Sequence, residues 1–260
     1  MRLISWNLNS IKARMPRLLE LLDQHAPDVL CVQETKSAPD AFPHETLAAV
    51  GYRAIDHSEG RWNGVALLVP DDVEVADPQL GLPGEPAPAE ARWVEATVRG
   101  VRVVSVYVPN GRDPAHEMFA QKLDFLDAAH ARIAELVAAG PTVVAGDVNV
   151  ARSDVDVWDP AMFAGATHVT PEERARIDAI CELGLVDAHR HLAGEDEPAY
   201  TWWDYRMGAF RRGMGLRIDL ALVSHHLGVR SCEVDTTFRR NNAAGDKPSD
   251  HAPLVVGLDL

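Results

Sequence analysis

Four apolar segments of this chain stop or break on polar side chains where a buried strand would otherwise continue, and a fifth, polar segment precedes the last strand. Leu3-Ile4-Ser5-Trp6 ends at Asn7, Val29-Leu30-Cys31-Val32 at Gln33-Glu34, and Val143-Val144-Ala145-Gly146 at Asp147-Val148-Asn149. Leu216-Arg217-Ile218-Asp219-Leu220 carries an acid inside its run, and Lys247-Pro248-Ser249-Asp250-His251-Ala252-Pro253 holds a carboxylate and an imidazole between prolines. Short apolar runs of this kind read as strands with both faces covered, which requires layers of structure on either side.

Helical patterns separate the runs. Leu18, Leu19, Leu21 and Leu22 give residues 14–25 one apolar side, and residues 44–50 and 116–138 continue the alternation. Thr170-Pro171-Glu172-Glu173 has a threonine cap, a first-turn proline and an acid at capping-box spacing, so a helix is predicted from there to about Leu183. Further strands are expected at 65–70, 94–99, 101–107, 199–203, 217–223, 232–237 and 254–258. Residues 71–91, rich in Pro and Gly, are expected to be largely loop. No glycine-rich phosphate loop follows the first strand. The pattern fits an α/β four-layer sandwich, two packed mixed β-sheets flanked by helices, better than one doubly wound sheet. One domain over 1–260 is expected.

No apolar stretch reaches the roughly 20 residues of a membrane span, and Arg2 opens a strand directly, so a cytoplasmic protein without a signal peptide is expected. Cys31, Cys181 and Cys232 are odd in number and widely spaced, which suits reduced thiols and neither a disulfide frame nor a zinc cluster. The net charge of −14 argues against binding polyanions over the whole surface, while allowing a local basic groove.

Glu34, Asp147, Asp219 and Asp250 are acids at strand ends or inside apolar runs. Each alone reads equally as a cap or turn acid. Together they make a hard-oxygen site for Mg²⁺ or Mn²⁺, ions that take few carboxylates plus water and substrate phosphate. Asn7, Asn9 and Asn149 add amides that orient water or carboxylate without added repulsion. The set points to hydrolysis of a phosphate ester.

In order along the chain, Ser5-Trp6-Asn7, Gln33-Glu34-Thr35-Lys36, Asn63-Gly64-Val65-Ala66, Val106-Tyr107-Val108-Pro109-Asn110-Gly111, Gly146-Asp147-Val148-Asn149, Leu216-Arg217-Ile218-Asp219 and Ser249-Asp250-His251-Ala252-Pro253 resemble the exonuclease III family of bacterial apurinic/apyrimidinic endonucleases. The segment from Tyr200 to Arg206 separates that family from its lipid- and inositol-phosphatase cousins. The resemblance implies a DNase I-like fold and a Mg²⁺-dependent DNA repair phosphodiesterase, monomeric, acting on double-stranded DNA with abasic sites or blocked 3′ ends. It implies Glu34 as principal metal ligand with Asn7 beside it, and Asp250 as an alternative ligand or a group behind the ligands, with Lys36 close to it. It implies Asp147 as the residue activating water, Asn149 as its orienting partner, His251 paired with Asp219 as donor to phosphate, and Tyr107 near the scissile bond. Lys12, Lys36, Asn110, Trp202, Leu216 and Ile218 are implied to contact substrate, the last three as an apolar pocket for a flipped-out abasic sugar. Trp203 reads as core.

Asn9 stands where several members have aspartate, which weakens a second metal site. The 154–169 segment lacks an Asn-rich run found in some members, and His168 within it reads as an ordinary loop residue or, by the resemblance, as a bulky side chain that biases a member from abasic-site cleavage toward 3′-end processing. Lys12, Arg14 and Arg17, then Arg206, Arg211, Arg212 and Arg217, then Arg239, Arg240 and Lys247, form clusters that either meet phosphates or make solvated faces. Two other functions stay open: a phosphatase of lipids or small phosphate esters, which would need an apolar membrane loop or a basic inositol-phosphate pocket, and a non-catalytic nucleic-acid binder, which would lack one of the key polar residues.

Overall fold

A computed structural model describes residues 1–260. Its strands are β1 (Arg2–Asn7), β2 (Val29–Gln33), β3 (Tyr52–His57), β4 (Val65–Pro70), β5 (Val75–Leu80), β6 (Trp93–Val98), β7 (Val101–Tyr107), β8 (Thr142–Asp147), β9 (Leu185–Asp187), β10 (Asp219–Ser224), β11 (Gly228–Val234) and β12 (Leu254–Asp259). Its helices are α1 (Ile11–His25), α2 (His44–Ala48), α3 (Glu117–Ala139), α4 (Pro160–Phe163), α5 (Pro171–Glu182) and α6 (Ala188–Ala193). The strands form two six-stranded sheets, ordered β11-β12-β1-β2-β4-β3 and β5-β6-β7-β8-β10-β9.

β2, β8 and β10 are buried at every position, because their sheets are covered on both sides. Leu3, Val29, Cys31, Leu67, Val103, Val143 and Val256 meet in the core between the sheets. Leu18, Leu21 and Leu22 of α1 pack on the outer side of the first sheet with Ile4, Trp6 and Leu30. Phe125 and Ile133 of α3 and Ile177 of α5 cover the second sheet with Val144 and Leu222. The four layers expected from the sequence are therefore present. A polar stitch joins the sheets, where Gln33 Nε2 donates to Ser105 Oγ at 3.0 Å and that hydroxyl donates to Val32 O at 3.1 Å.

Strand direction sets the site. β1 and β2 run parallel in one sheet, and β7 and β8 in the other, so within each pair the C-terminal ends coincide. Asp147 pairs in register with Tyr107 on one side and with Asp219 on the other. Gly146 permits this close spacing, since a Cβ there would lie 1.9 Å from the Val106 carbonyl oxygen.

The boundaries depart from expectation in places. The predicted loop at 71–91 contains β5, and residues 199–203 form only isolated bridges from Trp202 to Leu216 and His251. The strand expected at 232–237 lies earlier, at Gly228–Val234, and a short 3₁₀ turn follows it. β3, β9, α4 and α6 are not signalled by the sequence pattern. The capping box holds: Glu173 N donates to Thr170 Oγ1 and Thr170 N to Glu173 Oε2.

Candidate active site

The Asp-His loop is pinned to the sheet ends from several sides. Ser249 Oγ donates to Asn7 O at 2.7 Å, Trp6 Nε1 donates to His251 O at 3.0 Å, and Ala252 N donates to Thr201 O. Thr201 Oγ1 in turn accepts from the backbone N–H of both Ile218 and Asp219 at 3.1 Å. Three distant segments are thereby locked into one floor.

On that floor His251 Nδ1 donates to Asp219 Oδ2 at 2.8 Å, and its Nε2 stands 3.7 Å from Asp147 Oδ2. Burial works against the charged imidazole, but Asp219 and then Asp147 outweigh it and push His251 up to about 10. It is therefore a charged donor at neutral pH, its orientation fixed by the carboxylate behind it. Burial raises the Asp147 carboxyl to about 7, with His251 opposing and Asp219 and Glu34 adding to the rise. A carboxylate poised there is suited to taking a proton from water.

Asn7 holds two acids at once, its Nδ2 donating to Glu34 Oε1 at 2.8 Å and to Asp147 Oδ2 at 2.9 Å. Its Oδ1 accepts from Asn9 N, which fixes the amide orientation, so in this arrangement Asn7 bridges carboxylates and ligation would require the amide to turn over. Glu34 Oε2 pairs with Lys36 Nζ at 2.7 Å, and that ammonium also donates to Asn9 Oδ1. Lys36 thus meets Glu34 directly and Asp250 only through Asn9, whose Nδ2 donates to Asp250 Oδ1 at 3.0 Å. Trp202 Nε1 donates to the other Asp250 oxygen at 3.1 Å. Burial would raise Asp250, but His251, Asn9 and Trp202 hold it below the ordinary carboxylate range.

Ligand atoms of Glu34, Asp147 and His251 lie within 4.8 Å of one another. Because His251 is held as a cation, the donors that fit an ion are the carboxylate oxygens, and an oxygen set suits a hard divalent cation. Asp250 stands outside this group.

A cavity of about 290 Å³ opens over these groups, walled by Tyr107, Asn110 and Asn149 on one side and by Trp202, Leu216 and Ile218 on another. Burial, reinforced by Glu34 and Asp147, keeps the Tyr107 phenol well above its ordinary value and hence protonated. Asn149 Nδ2 donates to Val108 O, its backbone N–H donates to Asp147 Oδ1 at 3.0 Å, and its Oδ1 accepts from Asn110. Asn9, Glu34, Lys36, Asn149 and His168 all have positive φ without being glycine. Such backbone conformations cost energy and concentrate where positioning matters.

Several sequence expectations need correction. His168 is no ordinary loop residue: it lines the cavity with Phe163, donating from Nδ1 to Asn149 O at 2.5 Å and accepting from Asn110 at Nε2. Burial and the nearby Lys122 lower it to about 4, so it stays neutral. Arg17, Arg217 and Arg239 are neither phosphate-facing nor on a solvated face, being buried. Arg217 is buried between Asp156 and Asp187, Arg17 lies over Phe238 beside Glu20, and Arg239 donates to the carbonyls of Asp250 and Trp203. Lys12 stays exposed on the first turn of α1, outside the cavity lining. Trp203 is core, as expected.

The fully buried Lys122–Glu173 ion pair was missed. Lys122 Nζ donates to Asn149 O and Asn110 O, while Glu173 Oε1 accepts from His168 N. The signal was a lysine on the buried stripe of α3, between Phe119 and Phe125.

Two packed mixed sheets between helices, with a carboxylate-held imidazolium and clustered acids at their strand ends, define a hydrolase of phosphate esters. The chain belongs to the Endonuclease/Exonuclease/phosphatase family, which it matches over residues 4–251. It is 32% identical to exodeoxyribonuclease III of Haemophilus influenzae over 98% of both chains, and 31% identical to an exodeoxyribonuclease of Bacillus subtilis over the whole of both. A 3′ phosphatase from Neisseria, solved bound to a product DNA hairpin, superposes over all of both chains with a TM-score of 0.95 at 33% identity. An AP endonuclease from Archaeoglobus fulgidus superposes with a TM-score of 0.93 at 32% identity, again over all of both.

Proposed function

We propose that this chain is a DNA repair nuclease that uses Mg²⁺, with Mn²⁺ able to substitute, to hydrolyse phosphate esters in damaged double-stranded DNA. It incises 5′ to abasic sites and trims blocked 3′ ends, as a monomer of the reducing cytoplasm where its three cysteines stay free thiols. The observation that carries the reading is the buried row Asp219–His251–Asp147, spaced at 2.8 and 3.7 Å, beside Glu34. The names of its relatives support DNA as substrate.

Glu34 would hold the cation. The ion supplies charge neutralisation at phosphate when bound. Asp147 takes the proton of the attacking water, oriented by Asn149, and the charged His251 donates to a non-bridging oxygen where negative charge develops. Tyr107 and Asn110 flank the phosphate. Leu216, Ile218 and Trp202 offer an apolar wall to a sugar without a base, which leaves the helix with no stacking to lose. Asp250 sets Asn9 and Trp202. Lys12 and the exposed arginines meet backbone phosphates.

End-labelled duplexes carrying an abasic-site analogue, a 3′-phosphate or a recessed normal end test this, each with Mg²⁺ and with chelator. Metal-dependent release from the first two substrates is expected. Hydrolysis of inositol or lipid phosphates with all three DNAs left intact would overturn the reading.

A further inference from the structure

Trp202 and Phe163 are shared between two cavities. Beside the catalytic one lies a second, of about 420 Å³, walled also by Trp158, Met162, Met207 and Met214. None of these four belongs to the catalytic machinery. Met162 and Met207 are 68% and 73% exposed, and Tyr205 nearby is half exposed. Contiguous exposed apolar side chains mark a binding surface. Met207 is also held at a φ of 57°, a conformation a non-glycine residue rarely adopts. At the rim stands the exposed Arg206, paired with Asp204, and the exposed Arg211 and Arg212 that follow in the same loop supply the unbalanced positive charge. On a chain of net charge −14, this local basic rim complements a phosphate backbone.

We propose that this second cavity is a nucleobase subsite, taking the base of an unpaired DNA nucleotide whose phosphate occupies the catalytic cavity. The proposal rests on the DNA reading above. Adjacency across the shared walls Trp202 and Phe163 identifies the occupant, because a nucleotide carries its base one sugar away from its phosphate. Indole and thioether walls offer faces for stacking but few hydrogen-bonding groups, so the subsite accepts any base and reads none. A paired base stays in the helix and gains nothing from it. Frayed or mismatched 3′ termini are therefore preferred over paired ones, separately from the Leu216–Ile218 wall that faces a baseless sugar.

The test compares wild type with a Met162→Ser/Met207→Ser double variant on two duplexes that differ only in whether the last 3′ base is paired. Both methionines are exposed, so the fold is retained. The variant is expected to show a KM about tenfold higher for the mismatched end, within the range that loss of base stacking produces. Its kcat on that end and both constants on the paired end should stay within about twofold of wild type. In chelator, a terminal 2-aminopurine should be quenched by wild type, and by the variant only at about tenfold higher protein concentration. Equal effects on the two duplexes, or none on either, overturn the subsite. So does a loss of concentration-dependent self-association in the variant, which would make the patch a contact between copies of the chain. If wild type cleaves neither duplex, the nuclease reading falls, while the quench without turnover still decides the subsite.

Discussion

His251 and Asp147 share one small space and carry opposite tendencies. Burial should neutralise both, yet the two acids beside His251 hold it charged up to about 10, while Asp147 is left with a value of about 7. The rate should accordingly climb with pH as Asp147 loses its proton, and fall on the alkaline side as His251 loses its own. A bound cation favours the carboxylate and pulls the acid limb lower. Replacing His251 with Gln should lower the rate and abolish the alkaline limb, which a pH–rate profile at saturating Mg²⁺ reads directly; an unchanged limb would assign it to another group. Glu34→Gln should act differently, raising the Mg²⁺ concentration for half-maximal rate. A titration in which the midpoint stays put would move ligation away from Glu34. Both residues were legible in the sequence, Glu34 as an acid at the end of an apolar strand and His251 as an imidazole following a carboxylate between prolines. Asn7 was legible only as a position: that its amide nitrogen, and not its oxygen, faces the acids depends on an Asn9 backbone bond across a left-handed residue.

The sheet edges explain where the reading of elements failed. β3, β5, β9 and β11 are the four edge strands, and they are the strands missed or displaced. An edge strand has solvent along one side and need not be a continuous apolar run. β5 includes Pro78 and a register shift between Ala76 and Gln79, features found at edges. Central strands such as β2 and β8 show in sequence because they are covered on both faces. The helical elements carry a second lesson through Lys122 of α3 and Glu173 of α5. Their buried pair holds the backbone under Asn110, Asn149 and His168, so it links packing of two helices to the shape of the cavity. Lys122→Met should cost about 3–5 kcal/mol by leaving Glu173 unpaired. A Lys122→Met/Glu173→Met double variant should regain most of that stability, since an apolar pair of similar volume avoids the desolvation of two charges. Its activity should stay low, because the Asn110 and Asn149 carbonyls have lost the ammonium that ties them together and keep only Thr167 and His168 as donors. Thermal melts and rates on the same samples separate the two effects, and recovery of both together would reduce the pair to a packing element.

At the scale of the whole molecule, an acidic protein is assigned an acidic polymer as substrate. The conflict eases on the proposed reading, in which phosphate is met locally by the charged His251 and by exposed basic side chains at the rim, while Arg17, Arg217 and Arg239 serve the interior. That last point was invisible in sequence, where a buried arginine between two distant aspartates looks the same as a surface one. The family and the four layers were visible because motifs recur in order along the entire chain. The central claim is that the buried carboxylate at the end of β8 removes the proton from the attacking water. The most direct measurement is the single-turnover rate of Asp147→Asn on saturating abasic-site and 3′-phosphate DNA in Mg²⁺, with DNA affinity and melting temperature taken on the same protein. The account predicts a rate lower by about two to four orders of magnitude, the usual contribution of a positioned base, with affinity and melting temperature near wild type. A rate within a few-fold of wild type would contradict it.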